Sequence, residues 1–177
     1  MNRVVVIGSG GAGKSVFALE LARRTGLPVI HLDREYWRPG WEPTPEPEWE
    51  ARVAEIVNRE RWIIDGNFGG TMHLRLAAAD TIVFLDIARL VCVWAVITRW
   101  LRYRRQSRPD MALGLNDKLD LKFLRWIWGY PTTRRPGILR QLTELPPSTR
   151  IVRLTSRRQM RDWLDSVASV PVPGVAA

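Results

Sequence analysis

The sequence predicts an α/β fold in which helices cover both faces of a parallel sheet, three layers in all. Two patterns carry this expectation. Short β-branched runs alternate along the chain with stretches of helical periodicity, which is how strand–helix–strand units read in sequence. A glycine-rich octapeptide, Gly8–Ser15 (GSGGAGKS), stands between the first such run and the first helical stretch. With 177 residues, 46% of them hydrophobic, the chain can bury one core but not two comfortable ones, so a single domain is expected.

Five strand candidates follow in chain order: Arg3–Gly8 (RVVVIG), Pro28–Leu32 (PVIHL), Trp62–Asp65 (WIID), Thr81–Asp86 (TIVFLD) and Arg150–Leu154 (RIVRL). Helical periodicity predicts Lys14–Arg24, Pro47–Arg59, a short piece at Met72–Ala78, Arg89–Arg104, Asp117–Trp128, Ile138–Glu144 and Ser156–Ser169. Arg34–Pro47 is rich in proline and tryptophan. Its prolines remove backbone donors and fix φ, which predicts an ordered loop without a ladder. Pro109 and Gly114 break Gln106–Asn116 into an irregular stretch. The organisation expected is one domain over 1–169 with a lid insertion at about 99–128, and a flexible tail at 170–177 carrying two prolines and a glycine.

Composition narrows the function classes. The longest apolar stretches are interrupted by Arg99, Arg102 or Arg125, so none reaches the roughly 20 uncharged residues of a membrane-spanning helix. The N-terminus enters a strand pattern at once, without the features of a secretory leader, so a cytoplasmic location and no membrane partner are expected. Cys92 is the only cysteine, which excludes an intramolecular disulfide and a cysteine-rich zinc site. The net charge of +9 reflects 24 arginines against three lysines. Arginine grips anions best, so anionic ligands are implied, and both nucleotides and nucleic acids satisfy that charge.

Gly8-Ser9-Gly10-Gly11-Ala12-Gly13-Lys14-Ser15 fits the phosphate-loop pattern GxxxxGK[ST] with the required strand before it and helix after it. Glycines let successive N–H groups turn inward around a β-phosphate, the helix N-terminus adds partial positive charge, and Lys14 bridges toward a γ-phosphate. Ser15 would ligate magnesium, and Val16 continues the binding segment into the helix. These residues imply ATP or GTP with Mg²⁺. Gly8, Gly10 and Gly13 also satisfy GxGxxG, with Asp33 ending the second strand candidate about 20 residues later as in dinucleotide sites. Lys14-Ser15 favours the phosphate loop, because a dinucleotide fingerprint does not require that pair.

Ligands in open parallel sheets sit at the carboxyl ends of strands, so Asp33 and Asp65 are read functionally. Asp65 is assigned to support the metal and Asp33 to serve the acceptor, magnesium needing only one or two protein carboxylates. Asp86 precedes a helix and is read as its N-terminal acidic residue. His31 is expected to pack inside with a satisfied hydrogen bond. Arg99, Arg102, Arg104, Arg105 and Arg108 fall within ten residues, and Arg99 and Arg102 share a helical face at i, i+3. Delivered by a closing lid, a guanidinium stabilises a transferring phosphoryl group. Of the nine tryptophans, most should be core. Trp126 and Trp128 project about 200° apart on a helix, so only one can face the core squarely. Tyr36, Trp37 and Trp41 could stack on an acceptor or anchor their loop.

Taken together, these pieces resemble the DNA topology modulation (FlaR-like) family, a branch of the adenylate-kinase-like P-loop kinases, over nearly the whole chain. The resemblance is carried by GSGGAGKS at Gly8–Ser15, HLDREYWRPGW at His31–Trp41, WIIDGNF at Trp62–Phe68, ADTIVFLDIAR at Ala79–Arg89, RPDM at Arg108–Met111 and FLRWIW at Phe123–Trp128. It implies a five-stranded parallel sheet of order 2-3-1-4-5, counting the strand candidates above, with a helical lid. It also implies that Asp65-Gly66 matches the aspartate-glycine pair ending the third strand of nucleotide kinases. Arg99 would match the first lid arginine, and Ser156 and Arg157 would contact the ATP base. Asn67-Phe68 replaces the proline-arginine of adenylate kinases, which argues against an AMP acceptor. The expected function is transfer of the γ-phosphoryl of MgATP to a nucleotide or other small acceptor. Lys14, Asp33, Asp65, Arg99 and Arg102 would do the chemistry. A regulatory ATPase acting on or near DNA is the alternative, although no helix-turn-helix or zinc module is present to read DNA directly.

Overall fold

The computed structural model describes residues 1–103 and 120–167. Its elements run β1 (Arg3–Gly8), α1 (Lys14–Thr25), β2 (Val29–His31), α2 (Leu32–Tyr36), β3 (Trp37–Arg38), β4 (Glu42–Pro43), α3 (Glu46–Val57), β5 (Trp62–Asp65), α4 (Met72–Ala78), β6 (Thr81–Leu85), α5 (Arg89–Tyr103), α6 (Leu121–Thr133), α7 (Arg135–Thr143), β7 (Arg150–Leu154) and α8 (Arg157–Ser166). The main sheet is parallel, in the order β2-β5-β1-β6-β7. This is the expected 2-3-1-4-5 order, renumbered because the two-residue strands β3 and β4 intervene.

β1 is the axis of the sheet, pairing with β5 through Val6↔Asp65 and with β6 through Gly8↔Leu85. Val4, Val5, Val6 and Ile7 are all fully buried. Alternation along the strand sends Val4 and Val6 to one face and Val5 and Ile7 to the other. The first face packs Phe17, Ala18 and Leu21 of α1, Cys92 and Val96 of α5, and Met160 and Leu164 of α8. The second packs Val53 and Ile56 of α3, Met72 and Leu76 of α4, Tyr130 of α6 and Ile138 of α7. A parallel sheet needs such cover on both faces, and each buried branched side chain contributes about 1.5–3 kcal/mol.

Several local expectations are corrected. β2 ends at His31, and Leu32 and Asp33 open helix α2. The proline-rich segment does form a ladder, a two-residue antiparallel ribbon pairing Trp37 with Pro43 and Arg38 with Glu42, tied by donation from Thr44 N–H to Tyr36 C=O at 3.1 Å. Proline tolerates this because an edge ribbon leaves its missing donor on the unpaired side. α6 continues past Trp128 through Pro131 to Thr133, with Ile127 and Tyr130 buried on the face that anchors it. Of its tryptophans, Trp126 joins both cores, whereas Trp128 is exposed beneath the Arg89 guanidinium, 4.2 Å from the ring centre. Arg104, Arg105, Arg108 and the 170–177 tail lie outside the described residues. No helix among the described residues is long and apolar enough to cross a membrane.

Asp86 is not a helix cap. Its carboxylate accepts from Arg135 Nε at 2.9 and 3.0 Å and from Arg153 Nε at 2.8 Å, tying the end of β6 to α7 and β7. Burial pushes the Asp86 carboxyl up, but the hydrogen bonds from Arg135 and Arg153 outweigh it and hold the pKa below its ordinary value. The folded pKa therefore lies below the unfolded one. The stabilisation is complete above about pH 4, the unfolded carboxylate value, and is lost as pH falls through the lower folded value. Asp86→Asn is expected to cost about 2 kcal/mol at neutral pH, by loss of charge-assisted hydrogen bonds. In thermal melts across pH 2–7, the gap between wild type and variant should close only at the acid end.

Candidate phosphate-binding site

The octapeptide leaves β1 at the carboxyl edge of the sheet and runs into α1, so its position follows from the central place of β1. Ala12 N–H donates to Ser9 C=O at 3.2 Å, closing the turn. Gly11 (φ 76°) and Gly13 (φ 91°) adopt left-handed conformations that a side chain would strain. At Gly11 the neighbours forbid a side chain as well, since a β-carbon would overlap the Cys92 carbonyl of α5, whereas at Gly13 it would come within 2.7 Å of the movable Arg157 guanidinium. Gly10 has no such φ, yet a β-carbon there would lie 2.6 Å from the Phe123 ring of α6. The loop is thus enclosed by α5, α6 and α8.

Lys14 Nζ donates to Ser9 C=O at 3.1 Å, so the ammonium lies back across its own loop. Arg157 Nη2 donates to Gly11 C=O at 3.4 Å, bringing a second cation to the same loop. This is the arginine that the resemblance assigns to the nucleotide base. Ser156 caps α8, its hydroxyl accepting from Gln159 N–H at 3.2 Å. Ser15 is half-buried in the first turn of α1, and Val16 is exposed. Cys92 is fully buried, and burial pushes its thiol up even though Lys14 and Arg157 pull it down.

Asp65 is buried, and its Oδ2 lies 2.9 Å from His31 Nδ1. Strand alternation puts both side chains on the face that α1 covers, the side from which Ser15 springs. His31 is therefore the satisfied buried histidine the sequence suggests, with Asp65 as its partner. Asp33 does not end a strand. It is exposed in the first turn of α2. On α5, Cys92, Val96 and Arg99 follow at i, i+4 and i+7, and Val96 packs against Gly11. Arg99, half-buried, continues the stripe that touches the loop, while Arg102 is exposed near the helix end. His73 is exposed. Tyr36 and Trp37 anchor their ribbon in an aromatic cluster with Trp41, Trp49 and Phe68.

Two contributors escape sequence reasoning. Asn67 clasps Gly8, the first residue of the loop, with Oδ1 accepting from Gly8 N–H at 3.0 Å and Nδ2 donating to Gly8 C=O at 2.7 Å. The position after Asp65-Gly66 at a strand end was the available signal, but it marks only a departure from the adenylate-kinase pattern. Phe123, the floor against Gly10, falls in the FLRWIW block of the resemblance, but its contact depends on how α6 docks.

A search of solved structures finds shikimate kinase from Bacteroides thetaiotaomicron at 21% identity and TM-score 0.55, covering 93% of this chain and 94% of that one. The two share a fold, a five-stranded parallel sheet between layers of helices. Shikimate kinase from Acinetobacter baumannii in complex with shikimate matches at 15% identity and TM-score 0.58, with 94% and 90% covered. A gluconokinase from Sinorhizobium meliloti 1021 matches at 17% identity and TM-score 0.52, with 94% and 93% covered. The isopentenyl transferase family model matches residues 1–36, which span β1, the loop, α1, β2 and α2. No curated protein matches. At these identities the likeness speaks to the fold alone.

The enclosure of the loop makes a steric prediction. Gly10→Ala, permitted by its backbone, should cost about 1–3 kcal/mol through collision with Phe123, as overpacked sites do. Phe123→Leu in the same chain should recover most of that loss in denaturant unfolding.

Proposed function

We propose that this chain is a kinase that transfers the γ-phosphoryl group of MgATP to a small-molecule or nucleotide acceptor. The observation that carries the reading is the glycine cradle at the carboxyl end of the central strand, to which Lys14 and Arg157 both bring positive charge. The donor set suits the nucleotide and its metal. A glycine loop with two cations suits phosphate, while the Ser15 hydroxyl and the Asp65 carboxylate are the hard oxygens magnesium prefers, Asp65 acting through water.

Bound MgATP supplies the phosphoryl group and a divalent charge on its oxygens. The rest of the work falls to the chain. The loop amides and Lys14 hold and orient the phosphates, with Lys14 leaving Ser9 C=O to do so. Asp33, in the first turn of α2, accepts the proton of the acceptor hydroxyl. Arg99, with Arg102 beyond it, faces the charge that spreads over the transferring group, a role worth about 10³–10⁵ in rate for one arginine. Phe123 and Ile127 exclude water from one side of the loop.

The test is ADP release from MgATP, alone and with nucleoside monophosphates, nucleosides and hydroxylated metabolites, with product mass followed. Stimulated turnover and a product heavier by one phosphoryl group are expected. Lys14→Ala should fold and lose at least about tenfold in ATP affinity, since a charge-assisted contact is removed. Hydrolysis indifferent to every acceptor, together with DNA affinity that falls steeply with salt, would instead favour a regulatory ATPase.

A further inference from the structure

Where β5 ends, the chain leaves the sheet, and its neighbour β1 runs on toward the phosphate loop. Gly66 N–H still donates to Val6 C=O at 3.3 Å. One step further, the N–H and C=O of Gly8 point toward a strand that has turned away. The Asn67 carboxamide takes both. A carboxamide carries the same donor and acceptor as a peptide unit, so Asn67 extends the parallel ladder by one residue with a side chain.

The turn that offers Asn67 is itself held from within. Arg75 of α4 donates from Nη1 to Gly66 C=O at 2.8 Å, and from Nη2 to Phe68 C=O at 2.9 Å and to Asn67 C=O. Three successive carbonyls thus share one guanidinium, which is 0% exposed. Burial pushes the Arg75 pKa down to about 9, and no carboxylate among the described residues offsets it. A cation buried without a countercharge is costly, and what stabilises it here is the turn alone. The turn in exchange adopts a conformation it would not hold unaided. Phe68 sits at φ 32°, a left-handed backbone unusual for a bulky residue, with its ring locked against Tyr36 and Trp49 at 4.7 and 5.0 Å. Only a planar fork of donors can span these carbonyls, which a lysine ammonium cannot do.

We infer that Arg75 is a positioning residue for the phosphate loop: it fixes the turn Gly66–Phe68, and through Asn67 that turn fixes the peptide groups of Gly8. The loop then departs from β1 in a set direction before any ligand arrives, so little ordering is left for binding to accomplish. The consequence for affinity rests on the phosphate-binding reading above. The brace itself is a property of the nucleotide-free protein.

Two measurements on Arg75→Lys, Asn67→Ala and the double variant separate these levels. Amide exchange at Gly8 in nucleotide-free protein reads the brace, and calorimetric titration with MgADP reads its consequence. Each single variant should accelerate Gly8 exchange and weaken MgADP by about tenfold, the scale of one or two lost hydrogen bonds. The double variant should lose no more than the worse single one, because Arg75 acts through Asn67. A lowered melting temperature with Gly8 exchange and MgADP affinity unchanged would mean a merely structural arginine and overturn the inference, as would losses that multiply in the double variant. Should Arg75→Lys fail to fold, Asn67→Ala disturbs no buried charge, and unaltered Gly8 exchange in it overturns the inference alone. Wild-type protein that ignores MgADP while Gly8 exchange responds to the variants would remove the kinase reading and leave the brace standing.

Discussion

Every feature of the candidate site depends on the burial of β1 between two parallel neighbours. Its residues Val4 to Ile7 lose all contact with solvent, and their side chains divide between two cores. Such a strand has no polar face, so helices must cover both sides, and parallel connections must return over the sheet to begin each new strand at the same edge. All the carboxyl ends then converge at the opposite edge. Whatever follows β1 is held at the centre of that edge, and here it is the glycine loop.

The site that results is built less by the loop than by what surrounds it. Glycines at positions 10, 11 and 13 are each met by a different element: Phe123 from α6, Cys92 from α5 and Arg157 from α8. These contacts make the loop a close-packed object whose glycines serve packing as well as backbone freedom. On the other flank, the sheet is interrupted where β5 turns away, and the backbone groups exposed by that interruption are satisfied by Asn67 and Arg75. Buried peptide groups must find partners, and at this edge side chains take over from the ladder.

The charges follow the same division. Asp86 gathers Arg135 and Arg153 at the end of β6 and closes the edge of the sheet opposite β2. Asp65 is occupied by His31 on the α1 face. Arg75 has no acid partner and is held by carbonyls alone. Two carboxylates at strand ends and one arginine inside a helix thus meet three different fates.

The sequence by itself determined the α/β class, the five main strands, the strand–loop–helix unit and the place of Lys14 and Ser15 in it. Each of these rests on local physics: β-branched runs, helical periodicity, and a backbone that only glycine can follow. The family resemblance added the strand order, which the structure bears out. Local signals misplaced the end of the second strand, since VIHLD reads as one strand while β2 stops at His31, after its last register partner Asp65. They also misjudged Asp86, because a carboxylate before a helix looks like a cap until Arg135 and Arg153 arrive from 49 and 67 residues away. Only the tertiary structure decided that Phe123 meets Gly10, that Arg157 lies against the loop, and that Arg75 is buried at all. Those facts depend on which helix docks where, and docking is settled by the summed burial of many side chains distant in sequence rather than by any residue's own neighbours.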